Sequence, residues 1–276
     1  MEITFNDLRI SEEKLKQVRK ELYHSERPGF YVFKNFLSSQ MVSHLIDFWT
    51  IEDLNKGKSH LTVTSFDKKE IFFPGCPNYF YPYAYNTGKA YYNFFWNHPA
   101  DEASMTISFS ICQLRNAVQS YNNYEDFFPF SGVSNSYRVV FSFNGKEIVP
   151  AHSDWLEPKE KFKPERLQAT LILTKKGIDY SGKGMWVMGN DKKTKYVFDD
   201  NLQVDPGDLV LWRYNNQHGV NDVTTTKGQR GFIRMIFPPD FIYKQSAKKI
   251  LEGVTRQDFV NELKRRIKKK FNILGK

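Results

Sequence analysis

Between residues 133 and 240 the sequence falls into short runs, at 137–143, 167–174, 184–188, 194–198, 209–213 and 230–237, punctuated by Gly177, Gly182, Gly184, Gly189 and Asn190. Runs of this length between glycine and asparagine breaks read as strands joined by turns. Leu167-Gln168-Ala169-Thr170-Leu171-Ile172-Leu173-Thr174 alternates as a barrel strand does, and Leu209-Val210-Leu211-Trp212 has the short apolar pattern of a buried strand. Strands are therefore expected to dominate this half. No internal repeat, low-complexity segment or linker divides the chain, so one domain over 1–276 is expected, mainly helical over 1–130 and β over 131–240.

The first of these runs, Tyr137-Arg138-Val139-Val140-Phe141-Ser142-Phe143, leads to Pro150-Ala151-His152-Ser153-Asp154-Trp155. Residues two apart in extended chain face the same way. His152 and Asp154 can thus offer an imidazole and a carboxylate side by side, although an isolated His-x-Asp also occurs as a hydrogen-bonded pair or a turn. A third ligand is available downstream. Val204-Asp205-Pro206-Gly207-Asp208 is a turn signal, and the strand after it ends near His218, in Asn215-Asn216-Gln217-His218-Gly219-Val220. A ligand at a strand end is held by a rigid scaffold yet reaches a cavity. Two histidines and one carboxylate leave open positions on a metal, the arrangement used for non-haem Fe(II) oxygen chemistry. Beyond His218, Gly228-Gln229-Arg230-Gly231-Phe232-Ile233-Arg234-Met235-Ile236-Phe237 reads as a further strand. Arg230 and Arg234 share a face if that strand is regular. An inward guanidinium is costly unless it meets an anion, and it suits a carboxylate, which it binds through two parallel hydrogen bonds.

In the order and spacing of these pieces the chain resembles the Fe(II)/2-oxoglutarate-dependent oxygenases, most closely the phytanoyl-CoA hydroxylase-like branch. The matching pieces are His152-Ser153-Asp154, Pro206-Gly207-Asp208, His218-Gly219, Arg230 and the N-terminal Gly29-Phe30-Tyr31-Val32-Phe33-Lys34-Asn35-Phe36-Leu37-Ser38, so the resemblance runs from about residue 27 to 240. It implies a mostly β chain with flanking helices around a double-stranded β-helix of jelly-roll or cupin type. It implies Fe(II) on His152, Asp154 and His218, with 2-oxoglutarate as cosubstrate and a basic residue after the second histidine on its distal carboxylate. Arg230 fits that position better than Arg234 by spacing. The implied reaction consumes dioxygen, releases succinate and carbon dioxide, and hydroxylates an unactivated C–H bond of a small molecule. A small residue in place of Asp154 would open a halide site, as in related halogenases. The carboxylate argues for hydroxylation, while desaturation or epimerisation can use the same ligands. Two other classes fit part of the pattern: a metal-dependent cupin enzyme without 2-oxoglutarate, and a non-catalytic binding protein with a vestigial barrel.

Charge sharpens the reading at the C-terminus. The chain carries +9, and residues 255–276, with eight Lys or Arg and two acids, hold +6 of it. The body is nearly balanced, so the high pI describes the tail rather than the substrate. Val260, Leu263, Ile267, Phe271 and Leu274 form an apolar stripe there. A helix docked on the body is expected, with contact to a membrane surface or an acidic partner as the alternative. No recognised nucleic-acid module accompanies the basic patch. Two cysteines, Cys76 and Cys112, are too few for a disulfide framework and suit a reducing cytoplasm. No signal peptide pattern opens the chain and no apolar stretch reaches a membrane span.

Along the N-terminal half, helices are expected from Ser11 to about Tyr23 and from Ser38 or Ser39 through Trp49, with a strand at Phe30–Phe33 between them. Tyr91–Trp96 and Thr106–Tyr121 are also expected to be helical. The aromatic and proline-rich 72–85 segment reads as a packed irregular loop over the core, or else as a substrate-facing lid. His24, His44, His60 and His98 lack a partnered motif.

Overall fold

The computed structural model describes residues 10–54, 62–63, 78–83, 87–127, 133–154 and 166–241. Alternation in the strand region has built two sheets. The larger runs in the order β1 (Phe30–Phe33), β10 (Leu209–Arg213), β7 (Leu167–Ile172), β12 (Phe232–Ile236), β5 (Val133–Ser142), β4 (Gly88–Phe94), β3 (Tyr79–Pro82) and β2 (Thr62–Val63), with β13 (Pro239–Phe241) also on β5. All its pairings are antiparallel except β2 with β3. The smaller sheet has the order β6 (Val149–His152), β11 (His218–Val220), β8 (Met185–Met188) and β9 (Lys195–Val197).

The two faces of the large sheet do different work. Tyr137, Val139, Phe141, Leu167, Ala169, Leu171, Ile233 and Met235 form the outer face. They pack in one apolar cluster with three helices, α1 (Glu12–Tyr23), α2 (Ser39–Leu54) and α3 (Glu102–Val118). Ile172, Val210, Trp212 and Phe232 form part of the inner face, against Met185, Val187 and Val220 of the small sheet. Burying both faces is why these strands carry near-continuous apolar runs. Ser11 caps α1 as expected, accepting from the Lys14 amide at 3.2 Å. The third helix begins earlier than the Thr106 expected, because Asp101 caps it by accepting from the Ser104 amide at 2.7 Å. At its other end Arg19 of α1 donates to the Ala117 and Val118 carbonyls at 2.7 and 2.9 Å, closing that helix end with a cation.

Tyr91–Trp96, expected to be helical, is a strand and the turn after it: β4 ends at Phe94. Every residue of β4 is buried, Tyr91 toward the helices and Tyr92 toward the interior. A run buried on both faces carries no period by which helix and strand can be told apart, and its tyrosines and phenylalanine favour the strand. Part of the 72–85 segment is also strand rather than irregular loop. Tyr79–Pro82 is β3, and Tyr79 stacks on Tyr92 at 4.4 Å. The rest of that segment described is Asn78 and Tyr83; residues 72–77 and 84–85, like the 255–276 tail and Trp155, lie outside the described residues.

The Pro206-Gly207-Asp208 turn latches three strands. Gly207 has φ +96, and a Cβ there would stand 2.6 Å from the Leu37 carbonyl oxygen, so glycine is required. The buried carboxylate of Asp208 accepts from the backbone amides of Asn35 and Asp205, both at 2.8 Å, and from Lys34 Nζ at 2.6 Å. Its own backbone carbonyl accepts from the Ile172 amide at 3.0 Å. The turn thus ties the start of β10 to the ends of β1 and β7. Among the described residues, no helix is long and apolar enough to cross a membrane.

Candidate metal centre

Adjacent strands of the small sheet bring the two histidines together. β6 ends at His152, β11 begins at His218, and the two residues are directly opposed across the antiparallel pair. Their ring centroids are 4.4 Å apart. Asp154 follows just beyond β6 and places one oxygen 3.7 Å from His152 Nε2 and the other 3.4 Å from His218 Nε2. One ligand atom from each residue lies within 4.8 Å of the others. Three N and O ligands roughly 2.1 Å from one ion at right angles stand about 3 Å apart, so a divalent ion fits this set with small adjustments.

Both imidazoles are oriented from behind. His152 Nδ1 is 2.8 Å from the Pro150 carbonyl oxygen, and His218 Nδ1 is 2.9 Å from that of Asn216. Each carbonyl accepts a hydrogen bond from Nδ1–H, which leaves the Nε2 lone pair for a metal. Burial holds the His218 imidazole below its usual pKa, helped by the His152 and Arg234 charges and opposed by the Asp154 carboxylate. Neutral imidazole is the ligating form. The centre opens to one side: the His152 side chain is 42% exposed and that of His218 is 9%.

The expected site residues divide. His152, Asp154 and His218 converge. Arg230 does not join them: its side chain is 55% exposed and its guanidinium lies 3.4 Å from Asp179. Arg234 is buried on the inner face of β12, paired in register with Val140 and Ile172. Its Nη1 donates to Ser142 Oγ at 3.3 Å, its Nε is buried without a hydrogen-bond partner, and no carboxylate pairs with it among the described residues. Burial lowers its pKa, while the phenols of Tyr83 and Tyr180 pull the other way. The two arginines do not share a face because Gly231, between them, has φ +89 and β12 starts only after it.

Gln168 was not singled out by its sequence context. It donates from Nε2 to Asp154 Oδ2 at 3.1 Å and is opposed in register to Trp212, whose ring meets His218 edge-on at 5.5 Å. The signal available was a polar residue at an inward position of the alternating 167–174 run.

No protein-family model and no curated protein matches this sequence. Solved structures do match the fold. Pseudomonas putida prolyl-4-hydroxylase aligns with TM-score 0.50 and 16% identity, covering 83% of this chain and 100% of that one. A full-length Neurospora crassa protein in complex with alpha-KG (2-oxoglutarate) aligns with TM-score 0.51 and 9% identity, covering 87% and 86%. The C-terminally truncated, apo form of that Neurospora crassa protein aligns with TM-score 0.53 and 12% identity, covering 84% and 91%. At such identities the likeness speaks for architecture: the chain has the double-stranded β-helix fold of 2-oxoglutarate oxygenases.

Proposed function

We propose that this protein is a non-haem Fe(II)- and 2-oxoglutarate-dependent oxygenase that hydroxylates an unactivated C–H bond of a small molecule. The observation that carries this is the convergence of two imidazoles and one carboxylate in a barrel that also buries the guanidinium of Arg234 without a carboxylate partner among the described residues. A buried cation of that kind asks for an anion, and a 2-oxoglutarate carboxylate supplies one. His152, Asp154 and His218 would hold the ferrous ion and leave positions for cosubstrate and dioxygen. Bound together, iron and 2-oxoglutarate supply the oxidising chemistry, in which R–H, dioxygen and 2-oxoglutarate give R–OH, succinate and carbon dioxide.

The chain's own residues do the rest. The Pro150 and Asn216 carbonyls keep each Nδ1 protonated, and Gln168 fixes the Asp154 carboxylate. Arg234 would hold the distal carboxylate, which suits the two-pronged guanidinium, with Ser142 steadying its fork. We thus assign the anchor to Arg234 rather than Arg230. Asp154 favours hydroxylation over halogenation, and the intact ligand set speaks against a vestigial barrel. The order of motifs supports the phytanoyl-CoA hydroxylase-like branch. A single domain over 1–276 is part of the same proposal. The buried free thiol of Cys112 agrees with a cytoplasmic setting, and the basic 255–276 segment with a docked tail or an acidic contact.

Anaerobic titration of Fe(II) and 2-oxoglutarate tests this, followed by oxygen and a succinate-coupled substrate screen. Replacing Arg234 with Ala should weaken 2-oxoglutarate binding at least tenfold, since a hydrogen bond to a charged group contributes about 1.5–3 kcal/mol. Arg230→Ala should leave it nearly unchanged. The reverse pattern would return the anchor to Arg230. Stoichiometric iron in a variant lacking His152, Asp154 and His218 would sink the whole reading.

A further inference from the structure

The two imidazoles are aimed by carbonyls of different kinds. Pro150 lies within β6, where the ladder and its own ring fix the backbone. Asn216 lies in the turn between β10 and β11, outside any strand, so its carbonyl has no ladder to hold it. The side chain of the same residue supplies the hold. It is fully buried, and both ends of its amide are engaged. Oδ1 accepts from Lys192 Nζ at 2.7 Å, and Nδ2 donates to Asn190 Oδ1 at 3.3 Å. Asn190 donates in turn to the Leu22 and His24 carbonyls at 2.9 and 3.0 Å, at the C-terminal end of α1. The Asn216 backbone N–H donates to the Arg213 carbonyl at 2.9 Å. Every polar group of this buried residue is thus bonded, and turning the loop would leave some of them unpaired at a cost. Gly29 makes room for the amide pair, since a Cβ there would collide with both Asn190 Oδ1 and Asn216 Nδ2.

We propose that Asn216 is a positioning residue for the metal centre, with Lys192 as its clamp. Lys192 and Asn190 hold the Asn216 side chain, the Asn216 carbonyl then holds Nδ1–H of His218, and Nε2 is left facing the ion. This rests on the metal-centre reading above. Lys192 has two effects of opposite sign. As a charge it repels a divalent ion. As the donor that steadies Asn216 it helps the imidazole to bind one.

The test is titration of the full chain with Mn(II), read by loss of the free-ion EPR signal, and with Co(II), read by its visible spectrum. Asn216→Ala should bind Mn(II) about tenfold more weakly, the low end for loss of an outer partner, and should alter the Co(II) bands. Lys192→Met should weaken Mn(II) binding by a smaller factor, about threefold, because one of several grips on the amide is lost. Lys192→Arg should recover most of that loss. Lys193→Met, the same change of charge at the exposed neighbour, should match wild type. In the Asn216→Ala background, Lys192→Met should weaken binding no further, since the two residues act as one unit. Tighter or unchanged Mn(II) binding in Lys192→Met overturns the proposal, because removing a field alone tightens it. So does an Asn216→Ala protein that melts lower yet keeps the wild-type Mn(II) affinity and Co(II) spectrum, which is the mark of a purely structural amide. If Asn216→Ala does not fold, the variants at exposed Lys192 carry the decision. Wild type that binds neither ion removes the metal-centre reading itself, a result distinct from wild type that binds with variants that match it.

Discussion

Replacing Asp208 with Ala should destabilise the fold far more than its surface neighbours suggest. The Asp208 side chain is 1% exposed and accepts from two backbone amides and from Lys34. Removing it strands the Asn35 and Asp205 amides in a partly buried turn, at about 1–1.5 kcal/mol each. The ion pair adds less, because Lys34 is half-exposed and keeps Asp205 as a partner; a screened pair of that kind contributes about 0–1 kcal/mol. The sum is a loss of roughly 2–4 kcal/mol, or about 5–15 °C in Tm for a domain of this size. Asp208→Asn preserves the shape and one acceptor oxygen and should lose about half as much. Asp205→Asn is the control: Asp205 is half-exposed and its partners are the flexible Lys34 and Lys175, so it should lose no more than about 1 kcal/mol. Denaturant unfolding followed by tryptophan fluorescence reads all three, provided the slope with denaturant is unchanged. Equal losses for Asp208→Ala and Asp205→Asn would refute the reasoning, because the argument depends on the buried amides and not on net charge.

Gln168→Ala should weaken Fe(II) or Mn(II) binding about 10–100-fold, as loss of an outer partner of a ligating carboxylate does, while a titration of Asn201→Ala, remote from the centre, should match wild type. The unfolded state binds a proton on His218 below about pH 6.5, whereas burial keeps the folded imidazole neutral to lower pH. Stability of the metal-free protein should therefore fall as pH drops below that value and level off once the folded imidazole is also protonated; His218→Gln should show a shallower fall in a pH series of melting curves. Arg166 and Asp126 form an ion pair at 2.6 Å with side chains 4% and 3% exposed. Asp126→Ala, which leaves the guanidinium buried, should cost about 3–5 kcal/mol in chemical denaturation, and an unchanged midpoint would contradict that.

The three residues of the candidate metal centre were legible in the sequence because each stands beside a strand boundary with its own turn or breaker signal. Six strands of the barrel, β5, β7, β8, β9, β10 and β12, were legible for the same reason, since their glycine and asparagine breaks survive whatever the tertiary context does, but β6 and β11 are too short to have been read as strands. β4 was not. Tyr91 and Tyr92 face two different cores, and no local pattern says so. Which arginine faces inward was hidden for a more specific cause. Spacing favoured Arg230, but the positive φ of Gly231 takes Arg230 out of the strand and leaves Arg234 as the inward residue. Gln168 drew no attention because one amide in an alternating run looks like any half-buried polar residue. Its role comes from Asp154, which approaches from the other sheet.

That division of labour between sheets has a consequence for the lifetime of the chain. Both histidines come from the small sheet, while Gln168, which steadies the Asp154 carboxylate, and Arg234, the proposed anchor of the cosubstrate, come from the large one. A metal ion seated here therefore acts as a rivet between layers that are otherwise held by side-chain packing. Ligand present at a hundred times its dissociation constant deepens the native well by about 2.7 kcal/mol, which reduces the locally opened population on which proteases act by about a hundredfold. Iron supply would then set how long each copy survives as well as how fast it turns over, and cells starved of iron should hold less of this protein at the same rate of synthesis.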